Sequence, residues 1–380
     1  MTGNSTQVSQ GAAAGGMKPG IFGHPSIDCD VHIAVPETRA LMPYLDAYWY
    51  DAFTTRGIDR LSFTMTGDAP GAPLAARPDW RPGSARPGSD LELLRAGALD
   101  GFGSSIAIAN CIFGGLALHS EDLAAVMCKA VNDWVTEHWL DKEPRLRASI
   151  LVPLNSVDLA IAEIERRAGD PRFVQVLMLA MGQELLGKRT NWPIYEAAAR
   201  HNLPIGVHAG SLYHHPPMAG WGSFAYEDYV AQSFSFENQV MSLVAEGVFQ
   251  KFPGLKFVLM ESGVTWLPAG LWRFNKTWRG VRSEIPWVKR VPGDIVRENI
   301  RLTIQPFDAP DGAGRLERWC EQMKSDRMLL FSTDFPHWHF EGKDALPVPA
   351  SSPLARRMLF DNPIETYPRL QGAMAAEVAA

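Results

Sequence analysis

The stretch "SIDCDVHIAV" (26–35) threads Asp28, Asp30 and His32 through an otherwise apolar, strand-like run. An unpaired charge inside a protein is expensive, so these groups either sit at an exposed strand end or share a partner. Side chains two apart on a strand point the same way. Asp30 and His32 can therefore reach one point while Cys29 and Val31 face the other side. A divalent cation is the partner that suits them. Asp28, deeper in the run, reads as a hydrogen-bonded structural acid. Comparable groups close three other apolar runs: His208 in "LPIGVHA", Glu261 in "LKFVLMES", and Asp334 in "RMLLFSTD", with His337 three residues on. Taken singly, His208 reads as a core histidine and Asp334 as an acid capping a turn. Taken together, Asp30, His32, His208 and Asp334 offer two imidazole nitrogens and two carboxylate oxygens. That set suits one divalent ion, Zn²⁺ first and Mn²⁺ second.

The elements that must bring them together are also legible. Eight short runs rich in branched or apolar residues predict buried strands at 27–33, 104–112, 146–153, 173–179, 203–209, 255–262, 300–306 and 327–334. Helical periodicity marks 121–140, 156–168, 191–202 and 226–252 between them. Strands alternating with helices predict βαβ units, and eight of them a closed (β/α)₈ TIM barrel. An open doubly wound sheet is the alternative, but "GFGSS" at Gly101 lacks the third glycine of a dinucleotide loop and no GxxxxGK[ST] occurs. Active sites of (β/α)₈ barrels lie at the C-terminal strand ends, where the ionisable groups fall.

The expected organisation is a leader at 1–20 of Gly, Ala, Ser and Gln, one barrel domain at 21–370, and a short tail at 371–380. A long insertion after the first strand, about 34–103, holds the helical "PETRALMPYLDAYWYDAF" and then a Pro-, Gly- and Arg-rich stretch. Loops of that length are usually binding segments or lids, and Arg77, Arg81 and Arg86 there suggest contact with a carboxylated ring compound. Trp266, Trp272, Trp278 and Trp287 follow the sixth strand, either as core packing or as a subunit interface.

Composition narrows the class. The chain has 380 residues, 46% hydrophobic and 21% charged, with a formal net charge of −6. No basic face or run points to nucleic acid, and no apolar run approaches membrane-spanning length. Four widely spaced cysteines without CxxC and a start that is not secretory predict reduced thiols in the cytoplasm. There is no HExxH or GxSxG, which argues against zincin and serine-hydrolase chemistry.

The same residues resemble the amidohydrolase-related family, the branch of the amidohydrolase superfamily that includes aminocarboxymuconate-semialdehyde decarboxylase. "IDCDVH" looks like its strand-one metal motif, "GVHAGS" like its strand-five histidine segment, and "FSTDFPHW" like its strand-eight signature. The resemblance implies a barrel with one divalent metal, acting as a hydrolase or a non-oxidative decarboxylase, and a dimer. Carried over residue by residue, His32, His208 and Asp334 match metal ligands, while Asp30 stands where many members have a histidine. Family decarboxylases commonly carry a histidine after strand six, where this chain has Glu261. The leading expectation is therefore a metal-dependent hydrolase of a small cyclic or aromatic substrate, with Asp334 as general base and Glu261 as acid or positioning group. His337, Trp338 and His214 would bind substrate, at most one of the adjacent His214 and His215 pointing inward. The alternative is decarboxylation of an aromatic or dienoic acid, and a third reading is a barrel that binds without catalysing.

Overall fold

Eight parallel strands follow one another around a single sheet in chain order. The chain runs β1 (Ser26–His32), an insertion carrying α1 (Ala47–Arg56) and α2 (Leu91–Leu94), β2 (Ser104–Asn110), α3 (Glu121–Val135), β3 (Leu146–Leu151), α4 (Val157–Arg167), β4 (Phe173–Leu179), α5 (Trp192–Arg200) and β5 (Ile205–His208). It continues through α6 (Ala225–Ala245), α7 (Val248–Lys251), β6 (Phe257–Met260), α8 (Trp266–Val281), α9 (Pro292–Asn299), β7 (Ile300–Thr303), α10 (Arg315–Met323), β8 (Leu329–Leu330), α11 (Pro353–Arg356) and α12 (Asn362–Thr366). This computed structural model describes residues 19–58, 76–114, 118–210, 223–309, 312 and 314–371. Most of the expected leader, nearly all of the tail, and residues 59–75 of the insertion lie outside them. Among the described residues no helix is long and apolar enough to cross a membrane.

The strands are buried because both faces are covered. β4, "FVQVLML", has no exposed residue, as expected where helices pack outside and side chains fill the barrel. α3 turns Met127, Val131 and Trp134 onto the sheet. Each fully buried aliphatic side chain contributes about 1.5–3 kcal/mol, so the alternating layers supply most of the stabilisation.

Three expectations need correction in detail. The eighth strand was predicted over 327–334, but its ladder with β7 covers only Leu329 and Leu330. Past that point the chain changes partner and closes the barrel against β1. Cys29 N donates to Phe331 O at 2.9 Å, Asp334 N to Asp30 O at 3.0 Å, and His32 N to Phe335 O. The helix predicted over 226–252 breaks into α6 and α7 at Gly247, whose φ of 87° is left-handed and open to glycine at little cost. The tryptophans split between roles. Trp266 and Trp278 pack against the core, and their indole N–H groups donate to Ser262 O and Val288 O; Trp272 is exposed.

The described part of the insertion is ordered by its own chemistry. Asp46 caps α1 by accepting from Trp49 N at 3.0 Å, and Gly57 ends it at φ 61°. Trp80 is buried, stacked on Phe340 at 5.5 Å and tilted over Phe335 at 5.0 Å. Gly97 allows this, since a Cβ there would lie 2.6 Å from Trp80 Nε1. The arginines expected to meet a ligand also bond to the protein. Arg77 forks onto Asp79, donates to Phe340 O at 3.0 Å and lies 4.6 Å over the Trp80 ring. Arg81 donates to Ala76 O and Arg86 to Val35 O. A guanidinium carries five donors in a fixed fork; Arg77 spends three of its bonds on Asp79 and Phe340 O, and Arg81 and Arg86 each give one to a carbonyl of the insertion or of the segment after β1.

At the opposite rim, Glu143 ties the turn before β3 to the helical segment before β2. It accepts from Arg95 Nε at 2.9 Å and from Arg145 Nε at 2.8 Å. The Arg145 hydrogen bonds, with Arg95 assisting, bring its pKa from 4.5 down to about 2 despite partial burial. A carboxyl with a lowered folded pKa stabilises above its unfolded pKa and loses that contribution as pH falls through the folded value. Glu143→Gln is therefore expected to lower the thermal midpoint at pH 7, with the gap to wild type narrowing between pH 5 and pH 3. Thermal unfolding followed by circular dichroism checks this; a gap that stays constant with pH would contradict it.

Candidate metal centre

β1 delivers two of the groups. Alternation along the strand sends Asp28, Asp30 and His32 to the barrel interior, where all three are buried. Asp28 is bound by Thr333, whose N–H donates at 3.0 Å and whose hydroxyl donates at 2.6 Å. Burial raises its pKa to about 7 against the pull of those bonds. It braces the segment that follows β8.

His32 is the pivot of the centre. Its Nε2 lies 3.0 Å from Asp334 Oδ1, 3.3 Å from Glu261 Oε1, 3.3 Å from His208 Nε2 and 3.6 Å from Asp30 Oδ1. His208, at the end of β5, places Nδ1 2.7 Å from Ala209 O. A carbonyl only accepts, so Nδ1 carries a proton, and Nε2, facing His32 and Glu261, is the nitrogen left for a metal. This is the arrangement in which a backbone acceptor fixes the tautomer of a metal-binding histidine. Glu261 follows β6 and Asp334 follows β8, both with left-handed backbone, φ 59° and φ 54°. For non-glycine residues this costs about 1–3 kcal/mol each and is held by neighbours. Glu261 N donates to Thr303 Oγ1 at 3.3 Å, Asp334 N to Asp30 O, and His337 N to Asp334 O at 2.8 Å.

The electrostatics follow from the crowding. Burial alone would lower the His32 pKa, but Asp30, Asp334 and Glu261 outweigh it and hold it well above 6.5. Burial would raise Glu261 and Asp334, yet the histidines keep both well below the usual carboxylate range. Asp30 is pushed up to about 6, by burial first, against His32 and His208. His337, with Nδ1 2.8 Å from Asp334 Oδ1 and 3.4 Å from Glu261 Oε1, is raised to about 9 by Asp334 in spite of burial.

The donor set fits a divalent ion. Ligand atoms of Asp30, His32 and His208 lie within 4.8 Å of one another, as do those of His32, Glu261, Asp334 and His337. Two imidazole nitrogens face each other, and the buried Asp30 Oδ2 and Asp334 Oδ2 have no hydrogen-bond partner. Buried carboxylate oxygens without a donor are costly, and coordination to a cation would satisfy such an oxygen. Mixed imidazole and carboxylate ligands suit Zn²⁺ and Mn²⁺.

The structure thus gathers Asp30, His32, His208, Glu261, Asp334 and His337, six of the eight residues singled out from sequence. Trp338 stands at the rim, 47% exposed, with its ring 4.6 Å from His339. His214 lies outside the described residues. Sequence reasoning passed over two neighbours. His339 places Nδ1 3.7 Å from Asp334 Oδ2 and packs 5.7 Å from Tyr229; the HxH spacing of "PHWHF" was the available signal. Asn110, at the end of β2, donates to Asp30 Oδ1 at 2.7 Å; inspecting the C-terminal end of "SSIAIAN" would have found it.

Known proteins agree with this architecture. The gamma-resorcylate decarboxylase of Polaromonas sp. is 26% identical over 231 residues, spanning 57% of this chain and 67% of that protein. The solved dihydroxybenzoic acid decarboxylase of Polaromonas sp., holding manganese and 2-nitroresorcinol, superposes with TM-score 0.62 at 18% identity, covering 91% of this chain and 97% of that one. The 5-carboxyvanillate decarboxylase of Novosphingobium aromaticivorans, solved with manganese and 4-hydroxy-3-methoxy-5-nitrobenzoic acid, gives TM-score 0.65 at 18% identity, covering 94% and 100%. The family profile described as Amidohydrolase matches residues 27–369, and the chain belongs to that family.

Proposed function

We propose that the protein is a metal-dependent, non-oxidative decarboxylase of a hydroxylated aromatic acid. The observation that carries this reading is the Asp334–His337 pair, a proton donor held beside a metal-competent cluster of acids and imidazoles. The similarity to proteins named as aromatic-acid decarboxylases supports the reaction class and favours it over the hydrolase expected from sequence. Glu261 in place of a histidine after β6 had favoured hydrolysis, but His337 reaches the same spot from the far side, 3.4 Å from Glu261. Manganese in the related structures favours Mn²⁺ over the Zn²⁺ expected first.

Asp30, His32, His208 and Asp334 would hold the ion. When bound, it would supply positive charge that offsets the negative charge of a carboxylated substrate. The rest is the work of the chain. Asp334 raises the His337 pKa to about 9, and the two share a proton between Nδ1 and Oδ1. That pair delivers a proton to the ring carbon bearing the carboxylate, and a neighbouring hydroxyl makes this carbon basic enough to take it. The bond to the carboxyl carbon then breaks, its electron pair restores the aromatic ring, and CO₂ leaves. Solvent returns one proton to the pair, so the balance is arenecarboxylate plus H⁺ to arene plus CO₂. Glu261 stays ionised between His32, His208 and His337 and keeps the three imidazoles in register.

With Mn²⁺ and ortho-hydroxylated benzoates, including 2,6-dihydroxybenzoate and 5-carboxyvanillate, the expected products are CO₂ and the parent phenol. In D₂O one deuterium should appear at the carbon that lost the carboxylate. Mass spectrometry of the product decides the matter: oxygen from labelled water in the product, with no CO₂, would establish hydrolysis instead. Asp334→Asn should fold, because asparagine tolerates left-handed backbone, and should lower kcat by about 10²–10⁴-fold, the usual weight of general acid catalysis.

His32 and His208 must be neutral to ligate a metal, and the surrounding acids raise both pKa values. Protons therefore compete with the metal at low pH and leave as pH rises. Mn²⁺ affinity is expected to climb from pH 6 to pH 8 with proton release, measured by calorimetry in buffers of different ionisation enthalpy. His208→Ala should abolish stoichiometric uptake; full uptake by that variant would remove His208 from the ligand set.

A further inference from the structure

The barrel interior beside the centre carries a line of polar groups where aliphatic layers are usual. Asn110 on β2, Ser149 on β3, Gln175 on β4 and Tyr367 just beyond α12 are all buried. The Tyr367 hydroxyl donates to Gln175 Oε1 at 3.3 Å. Gln175 Nε2 donates to Ser149 Oγ at 2.8 Å and to Asn110 Oδ1 at 3.3 Å. The Ser149 hydroxyl donates to Asn110 Oδ1, and Asn110 Nδ2 donates to Asp30 Oδ1 at 2.7 Å. The bonds to oxygen all run one way, from the C-terminal segment towards Asp30, while Asn110 Nδ2 and Gln175 Nε2 also approach Met260 Sδ at 3.4 and 3.7 Å. Space for the line is provided at β5, where a Cβ on Gly206 would lie 2.8 Å from the Gln175 side chain.

The direction has a chemical consequence. The ionised Asp30 carboxylate only accepts, so Asn110 must turn its NH₂ towards it and its Oδ1 towards Ser149 and Gln175 Nε2. A rotated amide would place its oxygen against the Asp30 carboxylate. Asp30 therefore always meets an N–H on Oδ1. Its Oδ2 is left without a hydrogen-bond partner, 3.9 Å from His208 Nε2. One oxygen is braced and the other is free for a cation, the pattern by which outer groups orient a metal-binding carboxylate.

We propose that Asn110, Ser149, Gln175 and Tyr367 form a one-way hydrogen-bond file that positions Asp30 for metal binding, so that the affinity of the centre depends on a tyrosine in the C-terminal segment. The inference rests on Asp30 being a metal ligand, as in the reading above. Fully satisfied buried networks of this kind are cooperative, so loss of a distant member is felt at the far end.

The test is Mn²⁺ binding to the chelator-stripped full chain, with free Mn²⁺ read by electron paramagnetic resonance and the metal-free thermal midpoint measured alongside. Asn110→Ala, Ser149→Ala and Tyr367→Phe are compared with Ile150→Ala, a core deletion on the opposite face of β3. Weakening of about 10–100-fold is expected for Asn110→Ala, less for Ser149→Ala, and least but measurable for Tyr367→Phe. Ile150→Ala should lower the midpoint and leave Mn²⁺ affinity within about twofold of wild type, since the cavity it creates lies away from the site. Tyr367→Phe and Ser149→Ala remove single hydroxyl groups and decide the matter even if Asn110→Ala fails to fold. Unchanged affinity in both, or affinities that track the thermal midpoint across all variants including Ile150→Ala, would overturn the file. A wild-type protein that takes up no Mn²⁺ would overturn the metal reading and the file together, whereas normal wild-type binding with unaffected variants overturns the file alone.

Discussion

The mouth of the barrel is governed by one constraint: three carboxylates and three imidazoles are held within contact distance where water barely reaches. Around His32 Nε2 alone stand Asp334, Glu261, His208 and Asp30, none farther than 3.6 Å. Unit charges at about 4 Å interact by roughly 4 kcal/mol at the effective dielectric of a protein. Like-charge pairs are therefore as consequential as opposite ones. Such a cluster has two stable fillings, protons or a cation. The pKa pattern is that of the first filling, with acids lowered by imidazoles and imidazoles raised by acids. The partnerless oxygens of Asp30 and Asp334 mark where the second would go.

The fold answers this constraint by spreading the ionisable groups over four strands. No single element carries more of the unfavourable burial than its neighbours can offset. Left-handed backbone at Glu261 and Asp334 turns both side chains inward at the points where their strands end. The insertion contributes from outside. Trp80 and Arg77 press on Phe335 and Phe340, which flank His337 and His339, so the loop after β8 is packed from both sides.

Much of this was legible in the sequence because it depends on local pattern. All eight strands and the main helices lie where apolar runs and helical spacing put them, and testing strand ends for ionisable groups found the acids and histidines of the centre. What escaped was whatever depends on partners. The shortness of β8 could not be read from "RMLLFSTD", whose apolar character continues unchanged while its hydrogen-bond partner switches from β7 to β1. The bond from Arg77 to Phe340 O could not be read from sequence, because the two residues lie 263 positions apart. Asn110 and Gln175 drew no notice, since a buried amide announces nothing until its partners are known. Glu261 was found, but not its neighbour His337, 3.4 Å away, which arrives from another strand.

The change of partner after Leu330 means that the joint closing the cylinder is also the floor of the reaction site. The three backbone bonds made by Cys29, His32 and Asp334 fasten the last strand to the first. They also fix where Asp30, His32 and Asp334 stand relative to one another. One residue more or less between Leu330 and Phe335 would break the paired bonds of Asp334 N to Asp30 O and His32 N to Phe335 O that set this span. The insertion between β1 and β2 has no such obligation. Change in chain length is thus open to this protein along its outer loops and closed to it along that short span, where the enclosure of the barrel and its chemistry are drawn with the same atoms.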